Sequence, residues 1–156
     1  KKGRAYVRPF LFIQVFYSMQ GSKMKIVDVA VGVIKRGNKI YISKRADGLH
    51  QGGKWEFPGG KREAYETIEQ ALARELLEEI GIKVTKQSHF MLIEHDYGDK
   101  KVRLDVRLVE GFEGKEHHQE GQQSQWVEIN DLRQFTFPDA NKVIIDKLVS
   151  LLTKNK

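Results

Sequence analysis

The pattern of apolar and polar positions predicts several strands along the chain. Residues 26–34 are rich in valine and isoleucine and end at the turn signal Arg36-Gly37-Asn38, so a strand there should enter a hairpin and continue through residues 40–42. A glycine-bearing loop, residues 48–60, contains a short strand-like piece at residues 55–57. Strands are also expected at residues 91–95 and at residues 102–109, where apolar and polar side chains alternate strictly. A polar loop, residues 114–125, leads into the apolar segment 126–129.

Two segments have helical periodicity instead. Thr67 is followed three residues later by Gln70, a pair that resembles a capping box at the start of a helix. We expect this helix to run to about residue 80 and to end at Gly81, with an apolar stripe formed by Ile68, Leu72, Leu76 and Ile80. The C-terminal run has the same spacing at Val143, Ile144, Leu148, Leu151 and Leu152. Strands mixed with two main helices give an α+β domain, with a mixed sheet and helices packed on its faces.

Length and composition fit one domain. The chain has 156 residues, of which 40% are hydrophobic, so it can bury a single core of ordinary size. It has no cysteine, which excludes disulfide bonds and thiolate metal sites and leaves oxygen or imidazole ligands for any metal ion. A chain without cysteine suits a reducing compartment, and we expect a cytoplasmic protein.

The positive charge is concentrated at the start of the chain. The net charge is +6, yet five of the 27 basic residues lie in residues 1–23, which contain no Asp or Glu. The remaining 22 basic residues face 21 acidic ones, so the net charge from residue 24 onward is only +1. A basic surface for stable nucleic-acid binding is therefore not expected in the rest of the chain.

Residues 1–23 form a separate segment. Their apolar stretch, residues 10–17, is far shorter than the roughly 20 residues that span a bilayer, so we expect no membrane insertion. A basic start and an apolar middle resemble a signal peptide, but Ser18-Met19-Gln20 is a poor cleavage site. We expect residues 1–23 to be a leader or an added extension, Met24 to be the natural start, and residues 24–156 to form the functional domain.

Three glutamates crowd one face of the first predicted helix. Glu75, Glu78 and Glu79 stand at positions i, i+3 and i+4 in its last turns, where the helix dipole is negative. Each like-charged pair at this spacing costs about 0.2–0.5 kcal/mol, and the dipole adds a similar unfavourable amount. A divalent cation would offset this repulsion, and carboxylate ligands favour Mg2+ or Mn2+. The alternative is an acidic helix face that is simply exposed to water.

A wider pattern surrounds these glutamates. The chain follows G-x5-E-x7-R-E-U-x-E-E-x-G-U, with U bulky and apolar, at nine positions: Gly60, Glu66, Arg74, Glu75, Leu76, Glu78, Glu79, Gly81 and Ile82. This pattern resembles the Nudix box, and a match at so many spaced positions is a specific signal. Residues 54–61, 120–122 and 137–141 are similar to segments of Nudix hydrolases of the MutT type, so the resemblance covers most of residues 24–152. It implies the Nudix fold, an α/β/α sandwich with a mixed sheet.

The resemblance also implies roles for the polar and glycine residues of the box and for two residues outside it. The metal ligands would be Glu75, Glu78, Glu79, Glu120 and the main-chain carbonyl of Gly59. The catalytic residues would be Glu75, Glu79, Glu120 and Arg74. Arg74 would orient Glu75, and Glu120 would be a further metal ligand or the general base. Gly60, Glu66 and Gly81 would be structural, with Glu66 holding the loop against the helix.

Substrate contacts are implied at a second set of residues: Arg45, His50, Glu56, Phe57, Pro58, Gly59, Lys61 and Asn141. Arg45 would contact phosphate, with His50 and Lys61 as weaker candidates, and the amide of Asn141 would read the base edge. Ordinary interpretations stay open: surface charge for His50 and Lys61, a helix-start residue for Asn141 and a core position for Phe57. Trp126 is interpreted as core, and His117 and His118 as solvated loop residues.

The implied reaction is hydrolysis of a nucleoside triphosphate to the monophosphate and pyrophosphate, with Mg2+ as the cofactor or Mn2+ in its place. The MutT-type resemblance implies 8-oxo-dGTP as the preferred substrate, and so the removal of oxidised nucleotides before DNA replication. Asp139 stands where the resembling segment has its second proline, which leaves open a preference for CTP, 5-methyl-dCTP or another nucleotide. A nucleotide sensor without catalysis is the alternative from another class. We expect a monomer.

Overall fold

The computed structural model describes residues 25–48, 52–96, 98–117 and 121–155. The predictions for residues 1–23, His50, His118 and Glu120 lie outside these residues. The strands are β1 (Lys25–Arg36), β2 (Lys39–Lys44), β3 (Trp55–Glu56), β4 (Gly59–Lys61), β5 (Lys83–Asp96), β6 (Lys100–Glu113) and β7 (Ser124–Glu128). The helices are α1 (Ile68–Ile80), a 3-10 helix (Ile129–Gln134) and α2 (Asp139–Lys154).

The strands form one mixed sheet. β1 runs parallel to β6, paired from Lys25 opposite Lys100 to Ile34 opposite Val109, and β5 pairs antiparallel with β6. On its other side β1 pairs antiparallel with β4 and, through the hairpin, with β2, which also pairs with β3 and β7. The strand order β3-β2-β1-β6-β5 therefore places β1 at the centre, next to the loop that leads into α1.

Alternate residues of β1 face two separate cores. One core contains Val27, Val29, Val31 and Val33, and α2 covers it with Ile144, Ile145 and Leu148. The other core contains Ala30 and Ile34, and α1 covers it with Ala71, Leu72, Leu76 and Ile80. The two-residue period of a strand explains this division. Helices on opposite faces of a mixed sheet confirm the predicted α/β/α sandwich.

The local sequence explains both ends of α1. Thr67 Oγ1 accepts a hydrogen bond from the Gln70 amide at 3.1 Å, and Gln70 Oε1 accepts one from the Thr67 amide at 2.8 Å, so the predicted capping box is present. Gly81 ends the helix in the left-handed conformation, with φ 72°, and donates its N–H to the Leu77 carbonyl. No helix within the described residues is both long enough and apolar enough to cross a bilayer.

Three elements differ from the prediction. β5 begins at Lys83, well before the predicted start at residue 91. Its first half was not predicted because the side chains there are largely exposed and register shifts interrupt the pairing with β6. No regular alternation therefore marks that half. β4 contains Gly59, Gly60 and Lys61, which lack strand propensity, and it forms against the edge of β1. β7 begins at Ser124, inside the polar loop predicted at residues 114–125, and it ends at Glu128, where the 3-10 helix follows from Ile129.

Candidate functional site

Strand β4 brings two glycines against the last turns of α1. The Gly59 N–H donates to Glu79 Oε2 at 3.2 Å. A side chain at Gly59 would collide with the Ala30 carbonyl of β1. A Cβ at Gly60 would lie only 2.6–2.7 Å from the two carboxylate oxygens of Glu75. Glycine is required at both positions because β4 lies tightly between β1 and the acidic face of α1.

This acidic face is largely buried. Glu75 and Glu79 are only 2% and 6% exposed, and Glu78 is half-buried. Glu75 Oε1 accepts a hydrogen bond from Arg74 Nη1 at 2.7 Å, and Glu78 Oε1 lies 3.8 Å from the same nitrogen. Buried carboxylates are costly unless positive charge and hydrogen bonds compensate them, and Arg74 contributes part of that compensation. A cation bound at this face would add positive charge directly beside the three carboxylates.

The chemistry of these side chains fits a hard divalent cation. All three offer carboxylate oxygens, which are the ligands that Mg2+ and Mn2+ prefer. In the described part of the chain, no three acidic or histidine side chains converge into a complete metal site. Glu75 and Glu79 instead turn toward Arg74 and the Gly59 N–H, so metal binding would compete with these hydrogen bonds. Glu120, the predicted fourth carboxylate, lies outside the described residues.

A second network holds the loop before α1. Arg74 donates from Nε and Nη2 to the Glu66 carboxylate at 3.0 and 2.5 Å, and Nη2 also donates to the Lys61 carbonyl at 3.1 Å. The Glu63 N–H donates to Glu66 Oε1 at 2.8 Å. The hydrogen bond from Arg74 holds the pKa of Glu66 below its ordinary value despite burial, and the same bond raises the pKa of Arg74. Both side chains therefore stay charged near neutral pH and connect the loop to Glu75.

Arg45 lies just after β2 but is buried. Its side chain is only 2% exposed, and its Nη1 donates to Glu56 Oε2 at 2.9 Å. Burial raises the pKa of Glu56, and Arg45 opposes that shift. A phosphate contact by Arg45 stays a prediction, and a phosphate would have to share the guanidinium with Glu56. Lys61, by contrast, is exposed at the end of β4.

The segment before β4 is attached to the core. Phe57 is buried and stacks on Phe137, with ring centroids 5.1 Å apart. The Pro58 carbonyl accepts a hydrogen bond from the Gly32 N–H of β1 at 2.7 Å. Phe57 thus packs as a core residue, which was the ordinary interpretation of it, and its contact with a nucleotide base stays a prediction.

Asn141 lies in the first turn of α2. It is half-buried, and its backbone N–H donates to the Pro138 carbonyl at 2.9 Å. The N-terminus of α2 has no side-chain cap, so capping does not account for an asparagine here. Asp139 is exposed and pairs with Lys142 at 2.9 Å, and this lysine lowers the pKa of Asp139. The predicted contact between Asn141 and a base stays a prediction.

Glu116 is a residue that the sequence pattern did not single out. Trp126 Nε1 donates to Glu116 Oε1 at 2.8 Å, and the Arg36 guanidinium lies 4.6 Å from the Trp126 ring centroid. Trp126 packs on the edge of the α1-side core and is only partly buried, so its prediction as core holds in part. His117 is exposed, and its N–H donates to the Ile80 carbonyl at the end of α1.

Comparison with known proteins assigns the family. The NUDIX domain family matches residues 29–147 of this chain. The 8-oxo-dGTP diphosphatase of Escherichia coli strain K12 is 43% identical over 129 residues, which cover 82% of this chain and 100% of that protein. The CTP pyrophosphohydrolase of the same organism is 30% identical over 128 residues, which cover 82% of this chain and 95% of that protein.

Two solved structures are similar over the same region. A structure from work on MutT of Aliivibrio salmonicida and Vibrio cholerae is 42% identical with a TM-score of 0.73, covering 81% of this chain and 98% of that one. The solution structure of the E. coli ORF135 protein is 30% identical with a TM-score of 0.75, covering 82% and 91%. Domain match, sequence identity and shared fold confirm the resemblance predicted from the box at residues 60–82, and the chain belongs to the Nudix hydrolase family.

Proposed function

We propose that this protein hydrolyses nucleoside triphosphates to the monophosphate and pyrophosphate with Mg2+, and that 8-oxo-dGTP is its preferred substrate. The observation that carries the proposal is the intact acidic face of α1, where the buried carboxylates of Glu75 and Glu79 lie against the glycines of β4. Buried charge in this concentration lowers stability, so it is typical of a site that uses it. A module that only senses nucleotides would not need it.

Glu75, Glu78 and Glu79 would hold the metal ion, with the main-chain carbonyl of Gly59 and with Glu120. Nudix hydrolases generally use a divalent metal ion, and these oxygen ligands favour Mg2+, with Mn2+ as a substitute. When bound, the ion would neutralise charge on the phosphate oxygens and lower the pKa of the attacking water.

Water would attack the β-phosphorus, and the bond from that phosphorus to the oxygen that bridges it to the α-phosphorus would break. The bridging oxygen leaves with the nucleoside monophosphate, and the oxygen from water stays in pyrophosphate. Arg74 would keep Glu75 in place through their hydrogen bond of 2.7 Å. Glu120 would ligate the metal or accept the proton of the water. Arg45, His50 and Lys61 would contact the phosphates.

Two observations support a preference for 8-oxo-dGTP. One is the 43% identity to the 8-oxo-dGTP diphosphatase of E. coli, and the other is the position of Asn141. An amide side chain both donates and accepts, so it can pair with a purine carbonyl and the neighbouring N–H group. Hydrolysis of CTP or a similar nucleotide is the second candidate because of Asp139, whose exposed carboxylate lies two residues before Asn141. A carboxylate accepts hydrogen bonds only, so Asp139 would favour any base that presents an amino group, and the CTP pyrophosphohydrolase relative at 30% identity supports cytosine among these.

The experiment is a comparison of kcat/KM for 8-oxo-dGTP, dGTP, dCTP and 5-methyl-dCTP, measured by pyrophosphate release with Mg2+. We expect 8-oxo-dGTP to exceed dGTP by at least about tenfold, since the site must distinguish hydrogen-bonding groups of the base. Comparable values for the two guanine nucleotides would overturn the preference, and a highest value for dCTP or 5-methyl-dCTP would establish the second candidate.

The variant Glu79→Gln separates hydrolysis from nucleotide sensing. It keeps the shape of the side chain but removes its charge, so pyrophosphate release should fall at least about 100-fold if Glu79 is a metal ligand. Unchanged pyrophosphate release by Glu79→Gln would contradict the proposed metal site.

A further inference from the structure

Three charged side chains meet on the sheet beside the loop that precedes α1. Asp28 of β1 lies between Arg103 of β6 and Arg62, which follows β4. Arg103 donates to Asp28 from Nε at 2.7 Å and from Nη2 at 3.1 Å, and Arg62 Nη2 donates to Asp28 Oδ2 at 3.0 Å. None of the three occupies a specified position of the Nudix box, and they come together only through the pairing of distant strands.

Arg62 is attached to Asp28 twice. Its backbone N–H donates to the Asp28 carbonyl at 2.8 Å, in addition to the side-chain ion pair. This bond extends the pairing of β1 with β4, in which Val29 is opposite Lys61 and Ala30 is opposite Gly60. The end of β4, directly after the glycines of the candidate site, is thus fixed by both backbone and side chain.

The same guanidinium also reaches into the loop. Arg62 Nη1 donates to the Glu66 carbonyl at 3.0 Å and to the Glu63 carbonyl at 3.3 Å. Glu66 is the residue whose carboxylate binds Arg74, and Arg74 in turn binds Glu75. A continuous series of hydrogen bonds therefore runs from Asp28 through Arg62, Glu66 and Arg74 to the acidic face of α1.

The strength of this connection comes from its geometry. Arg62 and Arg103 are 32% and 40% exposed, so each ion pair alone contributes little to stability. The Arg62 guanidinium, however, binds one carboxylate and two backbone carbonyls. These several directed hydrogen bonds fix the course of the loop, which a single ion pair would not do. Hydrogen bonds from Arg103 and Arg62 hold the pKa of Asp28 below its ordinary value despite burial, so its charge persists near neutral pH.

We propose that Arg62 is a positioning residue for the reaction: anchored on Asp28, it sets the position of Glu66 and thereby the orientation of Arg74 and Glu75. The inference rests on the proposed function, because it assigns Arg62 to the support of the same acidic site. Residues that orient metal ligands typically affect metal affinity or activity by about 10–100-fold when they are changed.

The test is Arg62→Met in the full chain, which removes the donors and keeps an unbranched side chain. We expect kcat for 8-oxo-dGTP to fall at least about tenfold, KM to stay within about twofold, and Mn2+ binding, measured by water-proton relaxation, to weaken by about tenfold. All assays are run at a temperature where circular dichroism shows each variant fully folded.

Arg133→Met is the matched control, because it breaks another Arg–Asp pair, with Asp146 at 2.9 Å, away from the loop. It should leave kcat and Mn2+ binding unchanged.

Arg103→Met separates positioning from stability. Arg103 donates two hydrogen bonds to Asp28 but none to the loop. The kcat of Arg103→Met should therefore be at least about three times that of Arg62→Met. Equal losses in the two variants, or wild-type kcat and Mn2+ binding in Arg62→Met, would overturn the inference. Failure of the wild-type protein to release pyrophosphate would instead overturn the proposed function, so the two failures are distinguishable.

Discussion

Gly60 is the residue at which β4 comes closest to the acidic face of α1. A Cβ at this position would lie 2.6 and 2.7 Å from the oxygens of Glu75. Glu75 is 2% exposed and is held by Arg74, so it has little room to move away. Gly60→Ala should therefore displace the Glu75 carboxylate and reduce kcat about 100-fold, since a shift of about 1 Å in a reacting group costs this much. The measurement is steady-state pyrophosphate release.

Gly37→Ala is the control for this substitution. Gly37 lies in the hairpin between β1 and β2 with φ 61°, and nothing lies within 4 Å of a Cβ built there. Alanine in that left-handed conformation costs about 1–2 kcal/mol of stability without a collision. Gly37→Ala should thus lower the free energy of unfolding while leaving kcat unchanged. An equal loss of kcat in both variants would show that lower stability, not the position of Glu75, explains the result.

Glu66 gives a prediction about pH. Its pKa in the folded protein is lowered from the ordinary value of 4.5, mainly by the hydrogen bond from Arg74. The charged form therefore stabilises the fold fully above about pH 4.5, and this contribution is lost as the pH falls through the lowered pKa. Glu66→Gln should reduce the free energy of unfolding by about 1.5–3 kcal/mol at pH 7, the range for a hydrogen bond to a charged group. The difference from wild type should shrink below pH 4.5.

Urea unfolding at pH 7 and between pH 3 and 5 measures the effect of Glu66→Gln. The exposed Glu110 of β6 offers the control Glu110→Gln, which should change the free energy of unfolding by less than about 0.5 kcal/mol. A loss in Glu66→Gln that is the same at every pH would rule out the ion pair with Arg74 as its cause.

The residues of the site differ in how far the sequence reveals them. Glu75, Glu78 and Glu79 share one helix, and their spacing alone places them on one face. Asp28 and Arg103 are 75 positions apart in the chain and meet only because β1 pairs parallel with β6. Burial of Arg45 against Glu56 is likewise a tertiary result, because Arg45 follows β2 and Glu56 lies on β3, the strand that pairs with the end of β2.

Helix α1 is the element whose ends the sequence specifies best. The capping box of Thr67 and Gln70 satisfies backbone groups at its start, and Gly81 supplies the left-handed residue at its end. Thr67→Ala should lower the free energy of unfolding by about 1 kcal/mol, because one N-cap hydrogen bond is lost. The effect on kcat should be small, since Glu78 and Glu79 lie at the opposite end of the helix. Chemical unfolding and a kinetic assay of the same samples measure both effects.

Thr153→Ala is the matched control for the cap. The Thr153 hydroxyl donates to the Ser150 carbonyl within the last turns of α2, where it caps no N-terminus. Its loss should cost clearly less stability than the loss of Thr67. If the two threonine variants have the same stability, the capping box contributes nothing measurable.

Strands were predictable where one face is buried, and not elsewhere. β1 and the second half of β5 carry the expected apolar residues, and the strict alternation of β6 places Val102, Leu104 and Val106 on the α2-side core. The first half of β5 has mostly exposed side chains, so no apolar periodicity predicts a strand there. β4 forms because it can pair with the edge of β1. Its three residues include two glycines, so their strand propensity is low and the sequence does not predict this strand.

The whole domain is organised around β1. One face of this strand meets α2, the other meets α1, and one of its edges supports β4 and the loop of the candidate site. The fold could be predicted because apolar periodicity and the nine box positions agree with each other. The contacts between charged groups on neighbouring strands could not be predicted, because they depend on which distant strands pair and which residues then lie opposite each other.

The catalytic unit should lie within residues 24–156. The NUDIX domain match covers residues 29–147, and every described residue of the candidate site falls inside it. A protein that starts at Met24 should therefore retain kcat and KM within about twofold, because it keeps every residue of the NUDIX domain match. Its net charge falls from +6 to +1 without the five basic residues of segment 1–23. It should elute earlier from a cation exchanger and bind single-stranded DNA less than the full chain does. A large loss of kcat in the shortened protein, with circular dichroism unchanged, would instead show that residues 1–23 contribute to the site.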